Sequence, residues 1–233
     1  MATGKHRKAR QKPSRTELKR RQEIIEATTR SIVKNGLCAT TLASVSKEAG
    51  LSDGVAVFYF KTKMGLLTEV LRHRYVIYQA AWQGAYEAAG PHPLQRLLAI
   101  LRTDFDPEIC SIEALIVWQS FWGEVRARPH YKEVLDLFDG KRVDTMQEVC
   151  ADLLLALGRP VEQAKSMSVG IDSMVDGLWL RLYLAEGDVP HVEALEIAFN
   201  ALAAQLPECA EEIAAELERA RAKQQGGEAH MDA

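Results

Sequence analysis

The chain has 233 residues, 47% of them hydrophobic, which is enough apolar material for one large or two small buried cores. It has no apolar run near the ~18 residues a membrane span needs, no secretory signal at its polar, basic N-terminus, and no zinc-ligand spacing among Cys38, Cys110, Cys150 and Cys209. The net charge of −3 hides an asymmetry, because residues 1–74 carry 16 Lys and Arg against 6 Asp and Glu, while residues 75–233 carry 13 against 26.

These bounds lead to the expectation of a cytoplasmic globular protein without metal, cofactor or membrane association. A basic head on an acidic body is the electrostatic footprint of a nucleic-acid-binding module. A solvated basic face gives the same count.

Residues 1–15 hold six basic residues and no acid, and are expected to form a disordered basic arm. From Thr16 the pattern turns helical. Ile24, Ile25, Ala27, Thr28, Ser31 and Ile32 recur near the 3.6-residue period, and Gly36 ends the run. Thr40 or Thr41 can cap a second helix with Leu42, Val45 and Ala49 facing inward, and Gly50 stops it after two turns. Ser52 can cap a third short helix ending near Phe60, and a longer fourth runs from about Lys63 to Ala89. Helix, glycine turn, helix over residues 41–60 is the order of a helix-turn-helix, whose second helix enters the major groove.

Beyond Gly90 the chain reads as helical, with breaks at Asp106-Pro107, Arg128-Pro129, Gly158-Arg159-Pro160, Gly187–Pro190 and Pro207. No segment alternates at period 2. The expected fold is all-α with nine or ten helices. A helix-turn-helix domain spans residues 16–62 and a ligand-binding and dimerisation domain residues 63–206. An extra C-terminal helix covers residues 207–224, and residues 225–233 are a disordered tail.

Two aromatic clusters stand out in the larger domain. Leu115, Trp118 and Trp122 share one helix face with Phe121 beside them, and Asp172, Asp176, Trp179 and Tyr183 fall at i, i+4, i+7 and i+11. Aromatic faces with carboxylates suit a bulky cation that cannot donate hydrogen bonds, because ring quadrupoles hold it at ~2 kcal/mol or more per ring when desolvated. The plain alternative is ordinary core or interface tryptophans and solvated acids.

The segment carrying Thr41, Ala49-Gly50, Ser52, Gly54, Tyr59-Phe60, Lys63 and Gly65-Leu66-Leu67 resembles the TetR family of repressors over about residues 22–67. The strings Phe105-Asp106, Trp118-Gln119-Ser120-Phe121-Trp122 and Asp176-Gly177-Leu178-Trp179-Leu180-Arg181 resemble its BetI branch, extending the likeness over most of residues 20–206. The resemblance implies a homodimer that binds a palindromic DNA operator and represses choline-to-glycine-betaine genes until a small inducer, choline or a related quaternary amine, releases it. Helices 160–185 and 190–206 would form the dimer interface. Ala56 and Val57 depart from the larger aliphatic and the tyrosine common in the family.

For DNA binding the resemblance points to Thr41, Ser52, Tyr59 and Lys63 near phosphates, to Asp53, Gly54 and Val57 in the groove, and to Thr40, Phe58 and Lys61 as further DNA-binding residues. The cage reading adds Phe105, Trp118, Phe121, Trp122, Asp172, Asp176, Trp179 and Tyr183 for the ligand. Two other classes fit the sequence less well. An enzyme lacks a Glu-x-x-His pair, a phosphate loop or a nucleophile elbow here. A non-specific architectural DNA protein would gain nothing from a large acidic body.

Overall fold

The computed structural model describes residues 14–52, 54–185 and 189–231, with side chains as far as residue 222. Among these the secondary structure is helical throughout, in ten α-helices with three short 3-10 turns and no strand. None of the helices is long and apolar enough to cross a membrane. The chain divides into two compact units, a head ending at Val70 and a body beginning at Leu71.

The head starts with α1 (Arg15–Ala39), whose N-terminus is closed by a reciprocal capping box. Glu17 N–H donates to Ser14 Oγ at 3.2 Å, and Ser14 N–H donates to Glu17 Oε2 at 2.6 Å. Its buried face is Ile24, Ile25, Ala27, Thr28, Ser31 and Ile32, the residues picked out by helical spacing. The helical path breaks at Gly36, where φ is +79°. A second capping box, Thr41 with Ser44, opens α2 (Leu42–Glu48). The chain then turns at Gly50, whose φ of +66° lies in the left-handed region that a residue with a Cβ avoids. The short α3 (Gly54–Phe60) follows, with Ala56 and Phe60 buried.

Next comes α4 (Lys63–Ala88), whose first turns belong to the head and whose remainder belongs to the body. The body continues with α5 (Pro93–Asp104), α6 (Ile112–Trp122), α7 (Pro129–Ala156), α8 (Ala164–Leu184), α9 (His191–Gln205) and α10 (Ala210–Met231). Proline stands in the first turn of α5 and α7, where its missing N–H costs nothing. The largest fully buried side chains of the body come from α4 (Leu71), α5 (Leu94, Leu97, Leu98), α6 (Trp118, Phe121) and α9 (Phe199), with Phe105 at the end of α5 and Tyr131 on α7.

After Pro207 the chain forms α10. Ile213, Leu217 and Ala220 form its buried stripe. Glu216, also buried, pairs with Arg102 of α5 and with Arg219, and Arg221 reaches Glu196 of α9 at 2.5 Å. The helix runs to Met231, past Gln224, where the sequence reading began a structureless tail. The two glycines there cost a helix only ~1 kcal/mol each against ~3 for proline, and no proline follows Pro207.

Candidate DNA-reading face and ligand pocket

In the head, helical periodicity sorts α3 into two faces. Gly54, Val57 and Phe58, at i, i+3 and i+4, are exposed, whereas Ala56 and Phe60 are buried; Lys61, also exposed, follows the helix end, where φ is +65°. Thr41 and Ser52 are exposed near the starts of α2 and α3, where free backbone N–H groups favour phosphate. Tyr59 is half-buried, and its carbonyl accepts from Arg21 Nη1 at 3.2 Å. The Arg21 guanidinium also lies 4.6 Å over the Phe60 ring, so α1 clamps the end of α3. Lys63 Nζ donates to the Cys38 carbonyl at 2.7 Å.

Thr40 does not join this surface. It is 1% exposed, its hydroxyl is 3.0 Å from the Gly36 carbonyl and 3.1 Å from Ser31 Oγ, and it serves the interior end of α1. Of the two adjacent threonines, Thr41 is the cap and Thr40 the plug. Asp53 lies outside the described residues.

In the body, a half-open cavity of about 210 Å³ is lined by side chains of four helices. Tyr75 and Tyr78 come from α4, Trp118 from α6, Asp139, Arg142 and Val143 from α7, and Asp172, Val175, Asp176 and Trp179 from α8. The tyrosines meet the tryptophans edge to face, and the two tryptophans are tilted at 35° to each other. Tyr75 stands 4.7 Å from Trp118 at 79°, Tyr78 stands 5.6 Å from Trp179 at 63°, and Trp118 and Trp179 are 6.2 Å apart. Trp122 stacks behind Trp179 at 6.4 Å and 15°.

A buried polar network holds this cage in place. Asp104, fully buried at the end of α5, accepts from Tyr78 Oη at 2.7 Å and from Arg142 Nη2 at 2.8 Å. Arg142 also reaches Asp172 at 3.2 Å, and the Asp104 backbone carbonyl accepts from Trp179 Nε1 at 2.8 Å. One residue therefore fixes two of the rings. Burial pushes the Asp104 carboxyl above its usual range, and Arg142 opposes the shift. Burial would lower the guanidinium's pKa, but Asp104, Tyr78 and Asp172 more than offset it and keep Arg142 charged.

The cavity is anionic. Asp139, Asp172 and Asp176 face it with one cation, Arg142, already engaged by Asp104 and Asp172. Burial against the apolar walls raises all three, and Arg142 opposes the rise at Asp172. Asp139 rises to about 6 through burial, with Asp176 adding to it. Asp176, open to water along one side, rises to about 6 through partial burial and then its neighbour Asp172. Asp139 and Asp176, unlike Asp172, have no ion-pair partner among the described residues, and a bound cation would supply one.

The comparisons with known proteins bear on both units. The profile of the bacterial regulatory proteins of the tetR family matches residues 24–70, and that of the BetI-type transcriptional repressor C-terminal domain matches residues 93–207. The HTH-type transcriptional regulator BetI of Burkholderia lata is 36% identical over 184 residues, covering 78% of this chain and 91% of that relative. The chain belongs to the TetR family, with a BetI-type C-terminal domain. It is a transcriptional regulator, as its relatives are, and not an enzyme.

Solved TetR-like structures share the fold. A transcriptional regulator from Pseudomonas aeruginosa PAO1 superposes with a TM-score of 0.74 at 21% identity, over 84% of this chain and 94% of that one. A regulator from Saccharomonospora viridis, solved in complex with choline, superposes with a TM-score of 0.69 at 16% identity, over 78% of this chain and 95% of that one.

Within this TetR-family body, Trp118, Asp172, Asp176 and Trp179 converge on the cavity, with Trp122 one layer behind. Three other candidates do not. Phe105 is buried at the end of α5 and lines a separate hollow with Arg102 and Leu195. Phe121 is fully buried with its ring edge to face against Tyr131 at 5.0 Å. Tyr183, one turn beyond Trp179, is half-buried and absent from the lining. The sequence reading missed Tyr75, Tyr78, Asp139 and Arg142. A trace of the first two is visible in the spacing of Tyr75, Tyr78 and Trp82 at i, i+3 and i+7, whereas nothing local marks Asp139 or Arg142.

Proposed function

We propose that the protein is a homodimeric repressor whose two heads bind one palindromic operator and whose body releases it on binding choline or a related quaternary ammonium ion. The observation that carries this reading is the cage of Tyr75, Tyr78, Trp118 and Trp179 around a cavity rimmed by Asp139, Asp172 and Asp176. A tetraalkylammonium group donates no hydrogen bond and is weakly hydrated. It is best held by ring faces, with carboxylates nearby to balance its charge. The choline-bound Saccharomonospora viridis regulator shares the fold and agrees with this assignment.

Dimerisation is supported by an outward stripe on α8, where Val169, Leu180 and Leu184 are exposed, with Ile197 exposed on α9. Large apolar side chains in a row on adjacent elements mark a pairing surface, and a two-fold axis makes such a surface self-complementary. Paired heads must reach successive major grooves about 34–36 Å apart. A ligand between Tyr75 and Tyr78 of α4 and the other helices touches the same helix that begins in the head at Lys63. If the ligand-bound body favours a head spacing that misses the grooves, DNA is released by population shift.

Calorimetric titration of the full-length protein with choline and with its uncharged carbon isostere, 3,3-dimethylbutan-1-ol, tests the cage. Without the cation–π attraction of one desolvated ring, ~2 kcal/mol, the isostere binds about 30-fold more weakly or worse. Equal affinities would remove the cation from the account.

A further inference from the structure

Among the described residues, the exposed stripe of α3 is poor in hydrogen-bonding groups. Its members are Gly54, Val57 and Phe58, with Lys61 just past the helix end. Val57 is 45% exposed and Phe58 64%, the latter a large apolar ring left in water on a basic head. The ring is held in place, standing edge to face with Tyr59 at 5.1 Å and lying 5.0 Å from the Lys61 ammonium. Lys61 Nζ in turn donates to the Phe58 carbonyl at 2.6 Å, which ties down the cation beside the stripe. Gly54 presents no side chain, and a Cβ built there would meet nothing within 4 Å, so the backbone can approach a groove floor closely.

The major-groove edges of the four base pairs offer hydrogen-bond donors, acceptors and a single apolar feature, the 5-methyl group of thymine. A stripe of valine and phenylalanine can gain from that feature alone. Every pair desolvates some polar edge beneath such a stripe, and only a pair with thymine offers an apolar contact to set against that cost.

We infer that Val57 and Phe58 read thymine by packing against its 5-methyl group, so that the operator half-site carries thymine at one or two adjacent positions beneath α3. The inference rests on the operator-binding reading above and adds to it the base chemistry that sets sequence preference. It also accounts for the departure at Val57, since a valine cannot make the hydrogen bond that a tyrosine hydroxyl would make there.

The test uses full-length protein and an operator selected from random duplexes. Each thymine of the half-site is replaced by uracil, which keeps the base pair and removes only the methyl. At the read positions the wild type loses about four-fold in affinity per methyl, and about fifteen-fold when both half-sites are changed, from ~0.8 kcal/mol per buried carbon group. The Val57→Ala and Phe58→Ala proteins, checked for helicity by circular dichroism, lose the distinction between thymine and uracil at those positions. If uracil at every position costs the wild type less than two-fold, methyl reading is wrong although operator binding stands. If no discrete sequence is selected, the operator reading and this inference fall together. Should either variant fail to fold, the uracil scan of the wild type decides alone.

Discussion

Replacing Asp104 by asparagine removes a charge from the centre of the body while leaving its shape. In the native protein the carboxylate, with no exposed surface, accepts from Tyr78 and from Arg142, whose side chain is only 11% exposed. Breaking a buried ion pair by removing one partner costs ~3–5 kcal/mol, because the surviving charge is left uncompensated. Arg142 keeps Asp172 at 3.2 Å, but that carboxylate is 27% exposed, and Arg142 Nη1 already has no partner among the described residues. The low end of the range, ~3 kcal/mol, is therefore expected for Asp104→Asn. The asparagine oxygen still accepts from Tyr78, and the backbone carbonyl still holds Trp179. Asp104→Ala also strands the Tyr78 hydroxyl and costs a further ~1–3 kcal/mol. For a unit of this size the Asn variant melts about 6–12 °C lower. Urea unfolding followed by tryptophan emission is a suitable assay, since Trp82, Trp118, Trp122 and Trp179 all lie in the body. An Asn variant within about 0.5 kcal/mol of wild type, the range of an ordinary surface substitution, or one as damaged as the Ala variant, would refute the reasoning.

Quaternary ammonium affinity falls about ten-fold per carboxylate between pH 7 and pH 5, as Asp139 and Asp176, both at about 6, take up protons and lose the charge facing the cation; calorimetry across that range checks it, and a flat profile contradicts it. The same raised values make the ligand-free protein hold protons that the unfolded chain has released, so this contribution to stability is present at low pH and lost as pH rises through about 6. Trp179→Ala weakens choline at least ten-fold while leaving operator affinity unchanged, and equal loss of both in binding titrations would make Trp179 purely structural. Deleting residues 1–13, which leaves the Ser14 cap of α1 in place, lowers operator affinity and flattens the slope of log K against log salt by ~0.9 for each phosphate that the arm neutralises. An unchanged slope would remove the arm from the interface.

The head was largely legible because its signals are local. Thr41 caps the helix that begins one residue later, Gly50 takes the positive φ its turn needs, and exposed and buried positions of α3 follow from spacing alone. Only Thr40 misled, because two adjacent threonines look alike until Ser31 and Gly36 claim one hydroxyl.

The pocket was legible in part. Asp172, Asp176 and Trp179 lie along one helix, so helical period finds them together. Tyr75, Tyr78, Asp139 and Arg142 come from two other helices, and periodicity within one helix does not tell which faces converge. Phe105 and Phe121 show the converse. Each sits beside a true lining residue or its support in the sequence, and the helix turns it into the core. Arg142 is the hardest case, since a lone arginine on a long helix reads as solvated until two carboxylates from α5 and α8 close on it.

Operator release is the most direct test of the whole account. A fluorescent operator duplex bound to the full-length protein is titrated with choline and with 3,3-dimethylbutan-1-ol while anisotropy is followed. The account predicts that choline returns the duplex to its free value and that the neutral isostere needs about 30-fold more to do so, given ~2 kcal/mol for one desolvated cation–π pair. A complex that persists at saturating choline, or dissolves equally with both compounds, would contradict it.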